Sequence, residues 1–271
     1  STVFLDYAGL ASYMSIGAVA ENITLVAEQL GFAAELTSFP NRANPNEALR
    51  VRFAPSSAPA RDTQLFEQIA TRLTNRKLGA RAPLAPGDAE RLRVVVEEER
   101  RGRLRLLEEP RQLDDVADIL GPGDRLRFVS KIMHPELVSE IRWTPEEVER
   151  TRDGLDVATL ELTPVDLVGL RVASSMGVMD LVNKVRGGRA LERPSRKAIA
   201  AASAVGVITV AGGHTPQAMY DGGRALQRLW LQANALGYAF QPMTGIVCLF
   251  WRLLDGGDGL REDEKATLKE L

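Results

Sequence analysis

Two stretches of this chain carry the side chains best suited to chemistry. Arg72, Thr74, Asn75, Arg76 and Lys77 crowd into one short run. Three cations beside a hydroxyl and an amide form the donor set that a dianionic phosphate needs, and the forked guanidinium of arginine suits it best. The same run also reads as the basic, solvated end of a helix, because short motifs of this kind recur by chance. Pro242, Met243, Thr244 and Gly245 form the second stretch. Proline fixes a turn, and a glycine without a side chain lets backbone approach a flat ligand closely. A plain helix-to-strand connector has the same composition.

Other reactive residue types are scattered. His134 and His214 lie far apart, with no Cys or Glu at ligand spacing, so a metal site has no support. His214, within Ala211-Gly-Gly-His-Thr-Pro216, reads as a surface-loop residue. Glu136, Glu140 and Arg142 read as an exposed helix with salt bridges. Met133 to Trp143 and Met176 to Met179 are segments that could roof a flat ligand or simply fill a core. The glycine pairs Gly212-Gly213 and Gly222-Gly223 do not make the strand–GxGxxG–helix unit of a dinucleotide fold.

The elements that must position these residues follow from periodicity. Val19, Ile23, Val26 and Leu30 are spaced by three and four, which predicts one long helix or a broken pair over 8–32, stopped by Gly31. Strands are expected at 34–39, 49–53, 103–107, 205–210 and 246–253, the last two buried. Leu65, Phe66, Ile69 and Leu73 predict an amphipathic helix over 62–73, and Pro86-Gly-Asp88 opens another. Helices are expected at 112–120, 124–133 and 220–238. The apolar stretch 165–185 is expected to break at Gly169 and Gly177, with a hinge or turn at Gly187-Gly188. Pro40 to Asn46 reads as a loop, Glu97 to Arg105 as a solvated mixed-charge end, and Asp255 onward as a charged tail. Loosely alternating helices and strands favour an α+β fold with a mixed sheet covered by helices.

Composition narrows the class. The 271 residues are 45% apolar and 26% charged, with a net charge of −2. These values are ordinary for a globular chain and give no basic field to recruit nucleic acid. The one cysteine, Cys248, sits in the apolar run Ile246 to Phe250, which excludes an internal disulfide and fits a reducing, cytoplasmic compartment. No uninterrupted run of 18 apolar residues exists, so no membrane span is expected. The opening Ser-Thr-Val-Phe-Leu-Asp-Tyr lacks an initiator Met and points to a fragment or processed chain.

The chain also repeats itself. Gly17 to Ala33 returns 206 positions later as Gly223 to Ala239, without a gap. Gly17/Gly223, Leu25/Leu231, Ala27/Ala233, Leu30/Leu236, Gly31/Gly237 and Ala33/Ala239 are identical pairs. So long a period excludes a solenoid and suggests two related lobes packed as a homodimer would be. Two unrelated amphipathic helices that both end in Leu-Gly-aromatic would look similar.

The repeated helix, its Leu-Gly-aromatic ending, the following Gln241-Pro-Met-Thr-Gly245, and the run Ile69-Ala-Thr-Arg72-Leu-Thr74-Asn75-Arg76-Lys77 together resemble the nitroreductase family of flavoproteins. The basic run is similar to the Arg-x-Thr-(Asp/Asn)-Arg-Arg element of a subgroup with two fused lobes. The resemblance implies a nitroreductase-like α+β fold, internally duplicated as a pseudo-dimer. Residues 1–60 would form the first half and 61–271 the second, with a helical insertion or lid around 134–200. It further implies that Arg72, Thr74, Asn75, Arg76 and Lys77 hold the phosphate and ribityl chain of FMN, with Pro242, Met243, Thr244 and Gly245 against its ring. The implied activity is an oxidoreductase passing a hydride from NAD(P)H through the flavin to a small planar acceptor, with no side chain needed as acid or base. The alternative is a degenerate relative that binds or sequesters FMN, or serves as a docking or dimerisation domain. A homodimer or an upstream adenylating domain is the implied partner. The family's Asn-x-Gln-Pro-Trp segment, expected ahead of the first long helix, is absent from this sequence.

Overall fold

The computed structural model describes residues 3–41, 43–44, 46–97, 102–185 and 187–271. In chain order, α1 (Leu10–Gln29) leads into the hairpin β1 (Phe32–Ser38) and β2 (Leu49–Pro55). Then come α2 (Thr63–Gln68), α3 (Asp88–Glu97), β3 (Arg103–Leu107), α4 (Pro110–Val129) and α5 (Met133–Glu140). A small region follows, with β4 (Ile141–Arg142), α6 (Pro145–Thr151) and β5 (Leu155–Asp156). The chain ends with α7 (Pro164–Ala173), α8 (Met176–Lys184), α9 (Arg193–Ala201), β6 (Val205–Thr209), α10 (Pro216–Ala235), α11 (Gly245–Leu254) and α12 (Glu262–Glu270). Helix and sheet are thus mixed, as an α+β fold requires. The strands form three separate two-stranded ladders: β1–β2 and β3–β6 antiparallel, β4–β5 parallel.

The centre is the crossing of α1 and α10. A Cβ added to Gly17 would overlap the carbonyl oxygen of Tyr220, and one added to Gly223 would overlap that of Met14. Only glycine permits backbones to meet so closely. Along the same seam Glu21 accepts from Arg228 at 2.8 Å, and Gln227 donates to Asn22 at 2.8 Å. Each pair of contacts repeats under the 206-residue offset: 14 with 223 becomes 220 with 17, and 21 with 228 becomes 227 with 22. Leu25 and Leu231 are both buried, as are Ala27 and Ala233, and Gly31 and Gly237 both take positive φ, +77° and +82°.

This crossing overturns the assumed core face of α1. Val19, Val26 and Leu30 point outward, with Leu30 68% exposed. The buried face is Leu10, Gly17, Ala20, Glu21, Leu25 and Ala27. Small residues won the interface because close approach favours them over a bulkier apolar stripe. Glu21 is fully buried and bridges Arg224 and Arg228, and Arg228 also reaches Asp62 at 2.9 Å. Tyr7–Gln29 is long and apolar enough, by length and composition, to cross a membrane. The expectation of no span rested on uninterrupted apolar runs, whereas this segment qualifies on mean hydropathy despite its acids. Here it is packed on α10 through a buried, paired carboxylate.

The main core joins α10 to α2, α3, β3 and β6, through Leu65, Leu92, Val95, Val96, Leu104, Leu229 and Leu231. Further corrections come from ambiguous runs. The segment expected as a strand at 246–253 is helix α11, and a short apolar run cannot by itself distinguish the two. The pair expected at 112–120 and 124–133 is one helix, α4, running through Pro122. Gly121 and Gly123 flank that proline and make room for Arg196 and Ile246 respectively. The break in 165–185 falls at Ser174-Ser175, not at the glycines, which lie inside α7 and α8. Strand β6 is half-exposed, not buried. The tail is ordered into α12. The loop at 40–46 and the mixed-charge run at 97–105 each include positions (42, 45 and 98–101) outside the described residues.

Candidate functional site

Helix α2 ends at Gln68, earlier than its apolar pattern suggests, and Arg72 onward has no regular structure until Asp88. The basic cluster is therefore not a helix end. It lies on an irregular segment tied to α10 at several points. The Asn234 amide donates to Gln68 at 2.6 Å and to Thr71 at 3.2 Å. The Asn75 backbone N–H donates to the carbonyl of Phe240 at 3.0 Å. The Tyr238 hydroxyl accepts from the Ala85 backbone at 2.8 Å and donates to Asp88 at 2.7 Å. The cluster thus runs beside the chain leaving α10, tied to Phe240, two residues before the second stretch begins at Pro242.

At the junction Arg72 lies with its guanidinium carbon 3.9 Å from the centre of the Trp230 ring. Trp230 stacks on Phe240 at 5.2 Å between centroids and 24° between planes. A cation over an indole face is electrostatically favoured. Neither Arg72, Arg76 nor Lys77 pairs with a carboxylate among the described residues. Burial alone holds the Arg72 and Arg76 guanidinium groups below their ordinary range. The buried Nε of Arg72 and Nε1 of Trp230 have no hydrogen-bond partner among the described residues. Half-buried cations without counter-charges, beside unpartnered donors, are what an anion would satisfy. Asn75 Oδ1 accepts from the Lys77 backbone at 3.0 Å, closing a small turn that shapes the cluster. Thr74 is half-buried and Lys77 exposed.

The second stretch is divided. Pro242 follows the Phe240 junction, but Met243 packs against Leu113, Ala117, Leu120 and Ile199 as a core residue. Thr244 is exposed at the start of α11. Pro242 to Thr244 therefore connect helix to helix, not helix to strand. Gly245 has an ordinary backbone angle and open surroundings, where Arg127 Nη1 at 3.9 Å would be the nearest neighbour of a Cβ. Its absent side chain leaves space without any crowding that demands it.

Other candidates resolve as structure. Met133 and Met179 are buried in the interior and fill core. Trp143 lies under Arg171 at 4.2 Å. Glu136, Glu140 and Arg142 do not assemble: Arg142 pairs with Asp153 at 2.6 Å, and Glu136 accepts from the Phe4 backbone. His134 is buried with Nε2 at 2.8 Å from the Ala173 carbonyl. His214, in its surface loop, lies 2.9 Å from Asp255, which also accepts from Tyr7. No group of three metal-binding side chains occurs among the described residues. Sequence reading missed Trp230 and Phe240, since an aromatic on a core helix reads as packing, and Arg127, which only the fold brings to Gly245.

No known family's sequence profile matches the chain. The chain is similar to the uncharacterized protein MT1398 of Mycobacterium tuberculosis (strain CDC 1551 / Oshkosh), 32% identical over 182 residues. The match takes in 67% of this chain but 25% of the relative, so the chain spans about a quarter of that protein's length.

Proposed function

We propose that this chain is an FMN-dependent oxidoreductase of nitroreductase type, working in a reducing compartment such as the cytoplasm. One observation carries the reading. The Asn75–Phe240 hydrogen bond joins the basic cluster to the loop leaving α10, and the cations there lack counter-charges among the described residues. The donor set fits the cofactor. Arg72, Arg76 and Lys77 would hold the phosphate, and Thr74 and Asn75 its neighbouring polar chain; of the second stretch Pro242 and Gly245 would flank the ring, Met243 being packed in the core. FMN, when bound, supplies hydride exchange between NAD(P)H and a small planar acceptor. The protein's part is to bind the anion, orient the ring and keep backbone close to it.

We further read the chain as internally doubled, a nitroreductase-like pseudo-dimer. The offset of 206 between the repeated helices recurs in their mutual contacts, as an isologous pairing of two related lobes would produce. Such a chain would meet its own interface internally. Either a second copy or an adenylating domain would then dock elsewhere.

A second reading has one observation in its favour. A cavity of about 280 Å³ opens at Arg81, Ala82, Pro83, Glu108 and Ser203, beyond the cluster on the same segment. That falls just short of the roughly 300–1,000 Å³ of small-molecule sites. None of the residues assigned to the cofactor lines this cavity, and a degenerate relative that holds FMN without turnover needs no acceptor cavity beside the ring.

Purification of the full chain separates these readings. The enzyme reading predicts a yellow protein bleached by NADPH or NADH. A yellow protein that neither nucleotide bleaches supports sequestration, and a colourless protein that rejects added FMN contradicts both. Arg72→Ala with Arg76→Ala is expected to weaken FMN by at least about a hundredfold, since each charge-assisted hydrogen bond contributes about tenfold or more.

A further inference from the structure

The paired helices share residues at their crossing and differ at their ends. Under the 206-residue offset Trp230 corresponds to Thr24, and Phe240 to Ala34. Thr24 turns its hydroxyl back to the Ala20 carbonyl at 3.0 Å. Ala34 lies inside the β1–β2 ladder, opposite Phe53. The first helix therefore ends in a hairpin, whereas the second ends in an irregular loop beside stacked aromatics. The aromatic shelf under Arg72 has no counterpart at Thr24 and Ala34.

That shelf has a physical task. Trp230 is 9% exposed on α10 and stacks on Phe240. Arg72 comes from a segment without regular structure, so its long side chain would otherwise sample many rotamers at an entropic cost. Its place over the indole restricts that freedom, and no carboxylate among the described residues neutralises the guanidinium. We propose that Trp230 is a positioning residue that aims Arg72 at the anionic group of a phosphorylated ligand, and that the chain carries one such site. The identity of the ligand as FMN rests on the function proposed above; the anion site does not.

The test titrates the full chain by calorimetry with FMN, riboflavin and inorganic pyrophosphate, using wild type, Trp230→Phe and Trp230→Leu. Wild type is expected to bind one FMN per chain. Trp230→Leu should weaken FMN and pyrophosphate about tenfold and leave riboflavin unchanged, whereas Trp230→Phe, which keeps an aromatic face, should stay within about threefold. Should Trp230→Leu fail to fold, Trp230→Met, which keeps apolar bulk without an aromatic face, gives the same comparison. Equal losses for FMN and riboflavin, no loss for either, or two FMN per chain would overturn the inference. Rejection of both flavins with Trp230-dependent pyrophosphate binding would overturn the flavin reading and keep this one. Failure to bind any of the three would overturn both.

Discussion

At the scale of residues, burial decides what each charge or thiol can do. Desolvation on α11 pushes the Cys248 thiol from 9.0 up to about 11. Below pH 9 the folded and unfolded chains both keep this proton. Between about 9 and 11 the unfolded chain releases it while the folded chain retains it, so stability falls as pH rises through that window and levels off above it. Subtracting the unfolding curves of Cys248→Ala from wild type should isolate this slope; a flat difference from pH 9 to 11 would contradict it. Glu21 is the opposite case, a buried charge fully paired with Arg224 and Arg228. Glu21→Ala removes the buried carboxylate that both cations share, although Arg228 keeps Asp62, and should cost roughly 3–5 kcal/mol, read as a lower denaturant midpoint. The basic cluster stood out in the sequence by its resemblance to a family element, since a short basic run by itself recurs by chance. Trp230 did not, since nothing in a helical pattern separates a ligand-aiming indole from a packed one.

At the scale of elements, the α1–α10 crossing rests on two glycines. Alanine is the better helix former by about 1 kcal/mol, so at an open position the exchange should help or be neutral. At Gly17 or Gly223 the new methyl would overlap a backbone carbonyl that cannot move aside. Each Gly→Ala variant should lose about 2–3 kcal/mol, as overpacked interfaces do, whereas Gly79→Ala, with nothing within 4 Å, should stay within about 0.5 kcal/mol. Thermal melts of the three variants check the contrast, and equal midpoints would remove the crossing from this role. The repeat marked both glycines in advance, and the strands at 34–39, 49–53 and 103–107 emerged close to their expected bounds. The face of α1 was misjudged because periodicity rewards large apolar residues, and this interface selects small ones. Helix α11 was misjudged because seven apolar residues around Arg252 fit either regular structure.

At the scale of the whole molecule, the long-range arrangement was the least legible. The sequence revealed two similar helices but not that they pack on each other. Nor could it show that the segment after α2 folds back along the end of α10, because that depends on Asn234, Tyr238 and the Phe240 carbonyl finding partners about 150 residues or more distant in the chain. The α+β character survived, but the expected single sheet is divided into separate two-stranded ladders. The central claim is that this fold-back builds a site for a phosphorylated, planar cofactor. Titration of the full chain with FMN, followed by the shift in flavin absorbance and the quenching of its fluorescence, tests it most directly. Saturation at one equivalent per chain, abolished in Arg72→Ala/Arg76→Ala, is the predicted result. Flavin that stays free at matched concentrations, or binds the double variant as tightly as wild type, would contradict it.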